Sequence, residues 1–192
     1  MSNKYPVKVS GANILLRDFR LSDVAECLDI VGDDTVTRWL SFDSRTQEQA
    51  KAMLEGAIER AQLVPRTEYY LAVTLPRTGH VIGFARLGFA GQNAAKLGYA
   101  IRADKWGHGY ATDAAQALIS YGFSELGLHR ISAAIGPDNA VSITVVKKLG
   151  FTLEGRIRDH VFTNGAWRDS LLYSLLEHEW WNHASYSVDA VG

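Results

Sequence analysis

The repeat of apolar and polar positions changes period several times along the chain. Ala111, Ala114, Ala115, Leu118, Ile119, Gly122 and Phe123 recur in steps of three and four, the spacing of one helix face turned toward a core. A helix is therefore predicted from near Tyr110 to about Leu126-Gly127. Ala50, Met53, Leu54, Ala57, Ile58 and Ala61 keep the same period up to Pro65, and Thr46 with Gln49 three residues on supplies a capping box at the start. Asp23 with Glu26 has similar spacing and predicts an earlier helix from Leu21-Ser-Asp23 to about Val31. Another opens at Pro137-Asp-Asn139, carries Val141, Val145, Val146 and Leu149, and stops at Gly150.

Extended segments lie between. Ile14 to Asp18 reads as a first strand. Glu68 to Thr74 and His80 to Phe89 join through Pro76-Arg-Thr-Gly79, and after Gly91-Gln-Asn93 a strand runs from Ala95 to Ile101, completing a three-strand meander. Arg130 to Ile135 follows the long helix, and Thr152 to Phe162 and Ala166 to Leu176 flank the hairpin turn Thr163-Asn-Gly165. This order predicts an α+β fold: a mixed, mostly antiparallel central sheet of about seven strands flanked by about four helices, with one parallel crossover. With 192 residues, 47% of them hydrophobic, and no repeat or linker, residues 1–181 are expected to form a single domain, followed by a flexible tail over 182–192.

Composition narrows the function classes. A net charge of −1, a pI near 6.6 and no basic run beyond Lys147-Lys148 argue against a nucleic-acid partner. The opening Met1-Ser-Asn-Lys-Tyr-Pro6 has no apolar core, and no stretch approaches the ~20 apolar residues that cross a bilayer. A cytoplasmic protein with no membrane partner is expected. The single cysteine, Cys27, sits among Val24, Leu28 and Ile30 and reads as helix core. The six histidines show no ligand spacing, so no metal is expected, and no Gly-x-Ser-x-Gly elbow is present.

Candidate chemistry concentrates in Tyr99 to Thr112, which reads as strand, glycine-bearing turn and helix start. Gly107 and Gly109 have no Cβ, so backbone amides can lie close to a ligand, and a helix N-terminus adds roughly half a positive charge. That suits a polyphosphate without a cluster of Lys or Arg. A lone Gly-x-Gly also serves ordinary connections, and the dinucleotide fingerprint needs a third glycine where Thr112 stands.

Taken in order, Leu97-Gly-Tyr99, Trp106-Gly-His-Gly-Tyr-Ala-Thr112, Leu126-Gly-Leu-His-Arg-Ile131, Pro137-Asp-Asn139 with Ser142, Lys148-Leu-Gly-Phe151, Glu154-Gly155 and Trp167 followed by Asp169 resemble the GNAT superfamily of acyl-CoA-dependent N-acyltransferases, and within it the RimJ/RimL-like ribosomal-protein N-terminal acetyltransferases. The resemblance runs from Ile14 to Trp180. It implies an acetyltransferase that takes acetyl-CoA, releases coenzyme A and acetylates a primary amine, with a peptide or protein N-terminal α-amine as the favoured acceptor. A small-molecule amine and a non-catalytic acyl-CoA-binding sensor are the alternatives. It further implies that Gly107, His108, Gly109, Tyr110, Ala111 and Thr112 hold the pyrophosphate, that Trp106 is also a cofactor-binding residue, and that Gly98, Ala100 and Ile101 lie on a strand whose free backbone groups meet the pantetheine arm. Asn139 and Ser142 are implied at the thiol end, although Asn139 reads equally as a helix cap. Trp39 and Phe42, between the first two helices, are expected to line the acceptor pocket with Tyr70 and Tyr99. Trp180-Trp181 reads as a dimer contact or as packing, in a monomer or homodimer.

Two positions depart from the resemblance. Val146 stands where many members carry a proton-donating Tyr, so Ser142 is expected to supply that proton. Lys96 stands where many carry a basic Glu, and a cation there disfavours polyamines if it faces the cleft. Candidate catalytic residues are thus Ser142, Tyr99 and Glu154, with Glu68, Asp138 and His160 as further candidate bases. A lysine amine with a pKa near 10.4 costs about 4.6 kcal/mol to neutralise at pH 7, whereas an α-amine near 7.8 costs about 1 kcal/mol. A site without a strong base therefore favours the α-amine.

Overall fold

Strands that run between two layers of helices are apolar at nearly every position, because both faces are covered. The structure, a computed structural model, describes residues 5–182. Its strands are β1 (Lys8–Ser10), β2 (Leu15–Asp18), β3 (Glu68–Thr74), β4 (Val81–Phe89), β5 (Ala94–Ile101), β6 (Arg130–Ile135), β7 (Thr152–Thr163) and β8 (Ala166–Leu176). They form one eight-stranded sheet in the order β1-β2-β3-β4-β5-β6-β8-β7, parallel only between β5 and β6. The helices are α1 (Val24–Val31), α2 (Asp34–Thr37), α3 (Gln47–Ala61), α4 (Tyr110–Ser124) and α5 (Ala140–Lys148), and residues 177–182 are also helical. The mixed, mostly antiparallel α+β sheet is as expected. The short strand β1 and the single-turn α2 are additions, too brief to carry a periodic signal. The expected tail beyond residue 182 lies outside the described residues.

Along β3, Tyr69, Leu71 and Val73 face a core under α4 and α5, while Tyr70 and Ala72 face a second core under α1 and α3. Strands β5 and β6 differ. Ala95, Leu97, Ile131, Ala133 and Ile135 face the first core, but the alternate residues Lys96 and Ala134 are exposed. The sheet face under α1 and α3 is thus uncovered at Lys96 and Ala134, while Ala100 near the end of β5 still packs into the second core, which leaves room for a cleft beside β6.

Both expected long helices form as read. In α3, Thr46 and Gln49 make a reciprocal capping box, and Ala114, Ala115, Leu118, Ile119, Gly122 and Phe123 are buried along α4. The start of α1 differs from the expected box. Leu21–Asp23 is a 3-10 turn, and the Asp23 carboxylate reaches back to the Arg20 amide at 2.8 Å and accepts both Arg17 guanidinium nitrogens at 2.7 and 2.9 Å. Arg17 is itself buried, so the Asp23 carboxylate serves this guanidinium and the 3-10 turn at once and makes no capping bond to α1. Glu26 instead accepts from the Val81 amide at 2.9 Å.

Cys27 is fully buried in α1, and burial pushes its thiol up to about 12, consistent with a core residue. Trp180 is buried against Phe123, with ring centroids 6.4 Å apart, so it packs within this chain. Among the described residues no helix is long and apolar enough to cross a membrane.

Candidate active site

Parallel strands β5 and β6 pair only at Ala94–Arg130, Ala95–Ile131 and Lys96–Ser132. Beyond that seam they diverge into a wedge. The main-chain groups of residues 97–101 and 133–135 that face the wedge have no ladder partner across it, so an extended polar ligand can pair with them. Both strands end on the same side, where the turn into α4 and the loop into α5 also lie.

The turn into α4 has the geometry of an anion seat. Gly107 and Gly109 take left-handed φ values of +79° and +77°, which residues with a Cβ rarely adopt. Gly109 is the N-cap of the 15-residue α4 and brings no capping side chain. Among the described residues, none of the amides from Gly107 to Thr112 donates to an acceptor outside the helix. A Cβ on either glycine would meet nothing within 4 Å, so the space above these amides is open. The frame is fixed on both sides: the Trp106 indole donates to the Ile101 carbonyl at 2.7 Å, and Asp113 accepts the Ala12 and Asn13 amides at 2.8 and 2.6 Å. His108 stacks on Tyr110 at 5.6 Å. Free amides at a helix start, over a space that a Cβ would fill, fit a diphosphate.

Tyr99 and Ser142 meet across the wedge. The Tyr99 hydroxyl donates to the Ser142 carbonyl at 3.3 Å, and burial pushes its phenol up to about 12, so it stays protonated near neutral pH. Asn139 caps α5, its side-chain oxygen accepting the Ser142 amide at 3.1 Å. Ser142 is half-buried one turn into the helix. Val146 is fully buried in the core.

The uncovered sheet face holds a cavity of about 540 Å³ between the segment Trp39–Ser41, the end of β6 through Asp138, and the β7–β8 hairpin. Trp39 lines it, as do Asp138, Arg156, Trp167 and Arg168. Phe42 packs against the second core. Tyr70 lies within that core, 5.5 Å from Phe19 and 5.0 Å from Phe84. Neither lines this cavity. Lys96 is exposed on the same sheet face, at the last paired position of the seam.

Of the candidate bases, Glu68 is held by Arg86 at 2.6 Å and Arg60 at 3.1 Å. His160 is 3.0 Å from the Ser170 hydroxyl. Glu154 accepts both terminal nitrogens of Arg130 at 2.7 and 2.6 Å and the Ser174 hydroxyl at 2.5 Å. Those bonds, Arg130 first, lower its carboxyl from 4.5 to about 2. Asp138 alone among the four lines the cavity, and its carboxylate makes no ion pair among the described residues. Reading the sequence assigned no role to Arg156 and Arg168, which come from the far hairpin. The alternation of Lys96 with Leu97 and of Ser132 with Ala133 was the signal for the open face they border.

Glu154→Gln is expected to lower kcat at pH 7 by less than about threefold, far below the 10²–10⁴ that a general base contributes. Steady-state rates for the two proteins check this. Because the folded value lies below the unfolded one, the Arg130–Glu154 pair stabilises the fold above about pH 4.5 and loses that contribution as pH falls toward 2.

Residues 13–152 match the family described as the acetyltransferase (GNAT) domain. The chain is 31% identical over 170 residues to p20 of Bacillus licheniformis, an uncharacterized N-acetyltransferase, covering 87% of this chain and 94% of that one. RimJ of Mycobacterium smegmatis, solved in complex with CoA-disulfide, aligns with a TM-score of 0.80 and 25% identity over 91% of this chain and 90% of its own. The ribosomal-protein-S5-alanine acetyltransferase of Vibrio fischeri aligns with a TM-score of 0.76 and 25% identity, over 91% and 98%. The family match from Asn13 to Thr152 takes in the parallel seam, the wedge and the glycine turn together, and on that ground the chain belongs to the GNAT acetyltransferase family.

Proposed function

We propose that this N-acetyltransferase takes its acetyl group from acetyl-CoA and favours the N-terminal α-amine of a peptide or protein as acceptor. Acetyl-CoA supplies the acetyl group as a reactive thioester. The amides from Gly107 to Thr112 would hold its diphosphate, the unpaired edge from Gly98 to Ile101 its pantetheine arm, and Ser142 would donate a proton at its hydroxyl to the departing sulfur.

The observation that carries the acceptor reading is the state of the carboxylates. Glu68 and Glu154 are committed to arginines, which leaves Asp138 as the unpaired acid of the cavity. With a single exposed carboxylate to serve as proton acceptor, the α-amine is favoured because it costs least to neutralise. Asp138 would orient the incoming ammonium and take its proton, while Lys96 on the same face repels polycations. The kinship with RimJ and the S5-alanine acetyltransferase supports the same acceptor class.

Coenzyme A release measured with a panel of short peptides bearing free α-amines, with spermidine and with free lysine tests this. The peptides are expected to exceed spermidine in kcat/KM by about tenfold or more, following the roughly 3.6 kcal/mol difference in neutralisation cost less the losses of imperfect alignment. Faster turnover of spermidine than of every peptide would refute the reading.

A further inference from the structure

The helices α1 to α3 pack over β3 and β4, where Tyr70, Ala72, Val81 and Phe84 form their core. The outer half of β8 lies at the other side of the sheet, with β5 and β6 between. Strand β6 stops at Ile135, opposite Leu171, so residues 166–170 of β8 pair with β7 alone. Despite that separation, the segment after α2 reaches this hairpin. Arg168 donates from Nη1 to the Arg38 carbonyl at 2.6 Å and from Nη2 to the Leu40 carbonyl at 2.5 Å. The Asn164 amide at the hairpin turn donates to Asp43 at 2.8 Å. The segment is anchored at its other end where the Arg45 amide donates to the Val31 carbonyl at 2.8 Å. It therefore runs from α1 to the hairpin, with Trp39 to Ser41 lining the cavity together with the end of β6.

We propose that Arg168 is a positioning residue for the acceptor: its guanidinium fork grips the backbone on either side of Trp39 and so fixes one wall of the acceptor cavity. This rests on the reading of that cavity as the acceptor site. The two carbonyls it holds belong to the residues flanking Trp39, the aromatic that lines the cavity. Arg168 has no carboxylate partner among the described residues, since the adjacent Asp169 is bound to Arg156 at 2.6 Å. Its Nε is buried with no hydrogen-bond partner. The two terminal nitrogens thus each donate to a main-chain carbonyl, and the two bonds require the planar, double-donor geometry that lysine lacks.

The test combines kinetics with hydrogen exchange on the full chain. Arg168→Ala is expected to raise the acceptor KM about tenfold, the loss of one to two charge-assisted hydrogen bonds, while the acetyl-CoA KM stays within about twofold. Arg168→Lys is expected to recover less than half of that change on a logarithmic scale. Kinetics use whichever amine of the panel above turns over fastest. Exchange of the amides in residues 38–43 is expected to accelerate in Arg168→Ala, with α4 unchanged. Asp43→Ala, a substitution of an exposed side chain, is expected to move the same amides and the acceptor KM in the same direction by a smaller factor. Unchanged exchange over 38–43 in both Ala variants overturns the latch, and an equal rise in both KM values overturns its specificity for the acceptor. If the fastest amine proves to be a polyamine, the α-amine reading fails while the exchange data still decide the latch.

Discussion

Gly109→Val is expected to lower kcat/KM for acetyl-CoA by about a hundredfold or more while the protein remains folded. Two effects act together. Gly109 sits at φ +77° as the N-cap of α4, and a β-branched residue forced there either bears strain of about 1–3 kcal/mol or lets the turn relax away from its amide-inward form. If the turn holds its shape, the new side chain stands in the space the diphosphate would fill. In both cases several amide-to-phosphate hydrogen bonds are lost, each worth about 1.5–3 kcal/mol to a charged acceptor, and two of them exceed a hundredfold. The added Cβ meets no protein atom within 4 Å, so the thermal midpoint is expected to fall by only about 2–10 °C. Calorimetric titration with acetyl-CoA and a melting curve on the same sample separate binding from folding. A dissociation constant within about threefold of the unsubstituted protein would place the diphosphate elsewhere.

The second large effect falls on stability. Asp18→Ala is expected to cost about 3–5 kcal/mol, or roughly 6–20 °C in thermal midpoint. Asp18 is 6% exposed and accepts from the Arg66 guanidinium at 2.6 Å and from the Val7 amide at 2.7 Å. The Arg66 side chain is 1% exposed. Removing the carboxylate leaves that guanidinium inside the fold with only the Glu68 carbonyl at 2.7 Å and the Tyr69 ring, 4.2 Å from its carbon. An uncompensated buried charge costs more than the pair contributes. The double variant Asp18→Leu with Arg66→Met is therefore expected to be more stable than Asp18→Ala, despite the Val7 amide left without its acceptor. Urea unfolding of the unsubstituted protein and the two variants compares these costs. A double variant less stable than Asp18→Ala would show that the pair itself, and not the stranded arginine, carries the effect.

What could be read in the sequence was local. The capping box of α3, the apolar stripe of α4 and the Asn164-Gly165 turn, with φ values of +52° and +73°, each depend on residues within one turn or one helix. The glycine turn was legible for the same reason. The fates of the acidic residues were not. Glu154 is neutralised by Arg130, 24 positions away, and Asp23 is drawn from its helix by Arg17 on β2. Such pairings depend on which strands become neighbours, and strand order is not encoded in any short window. Trp39 and Arg168 share one cavity across 129 residues of chain for the same reason. The open face itself left a trace in the alternation along β5 and β6, where Lys96, Arg130 and Ser132 stand opposite the large apolar residues of the core side.

The seam between β5 and β6 is three residue pairs long, so the sheet is in effect two plates, β1 to β5 and β6 with β8 and β7. Helix α4 braces both from beneath. At Gly122 it comes so near that a methyl group would lie 3.0 Å from Leu87 on one plate and 3.2 Å from Ile131 on the other. This contact lies on the face of the sheet opposite the cavity. A ligand lying in the gap would stitch the plates together as a missing rung. Side chains under the sheet that line neither the glycine turn nor the cavity would thereby acquire leverage over the spacing of the two.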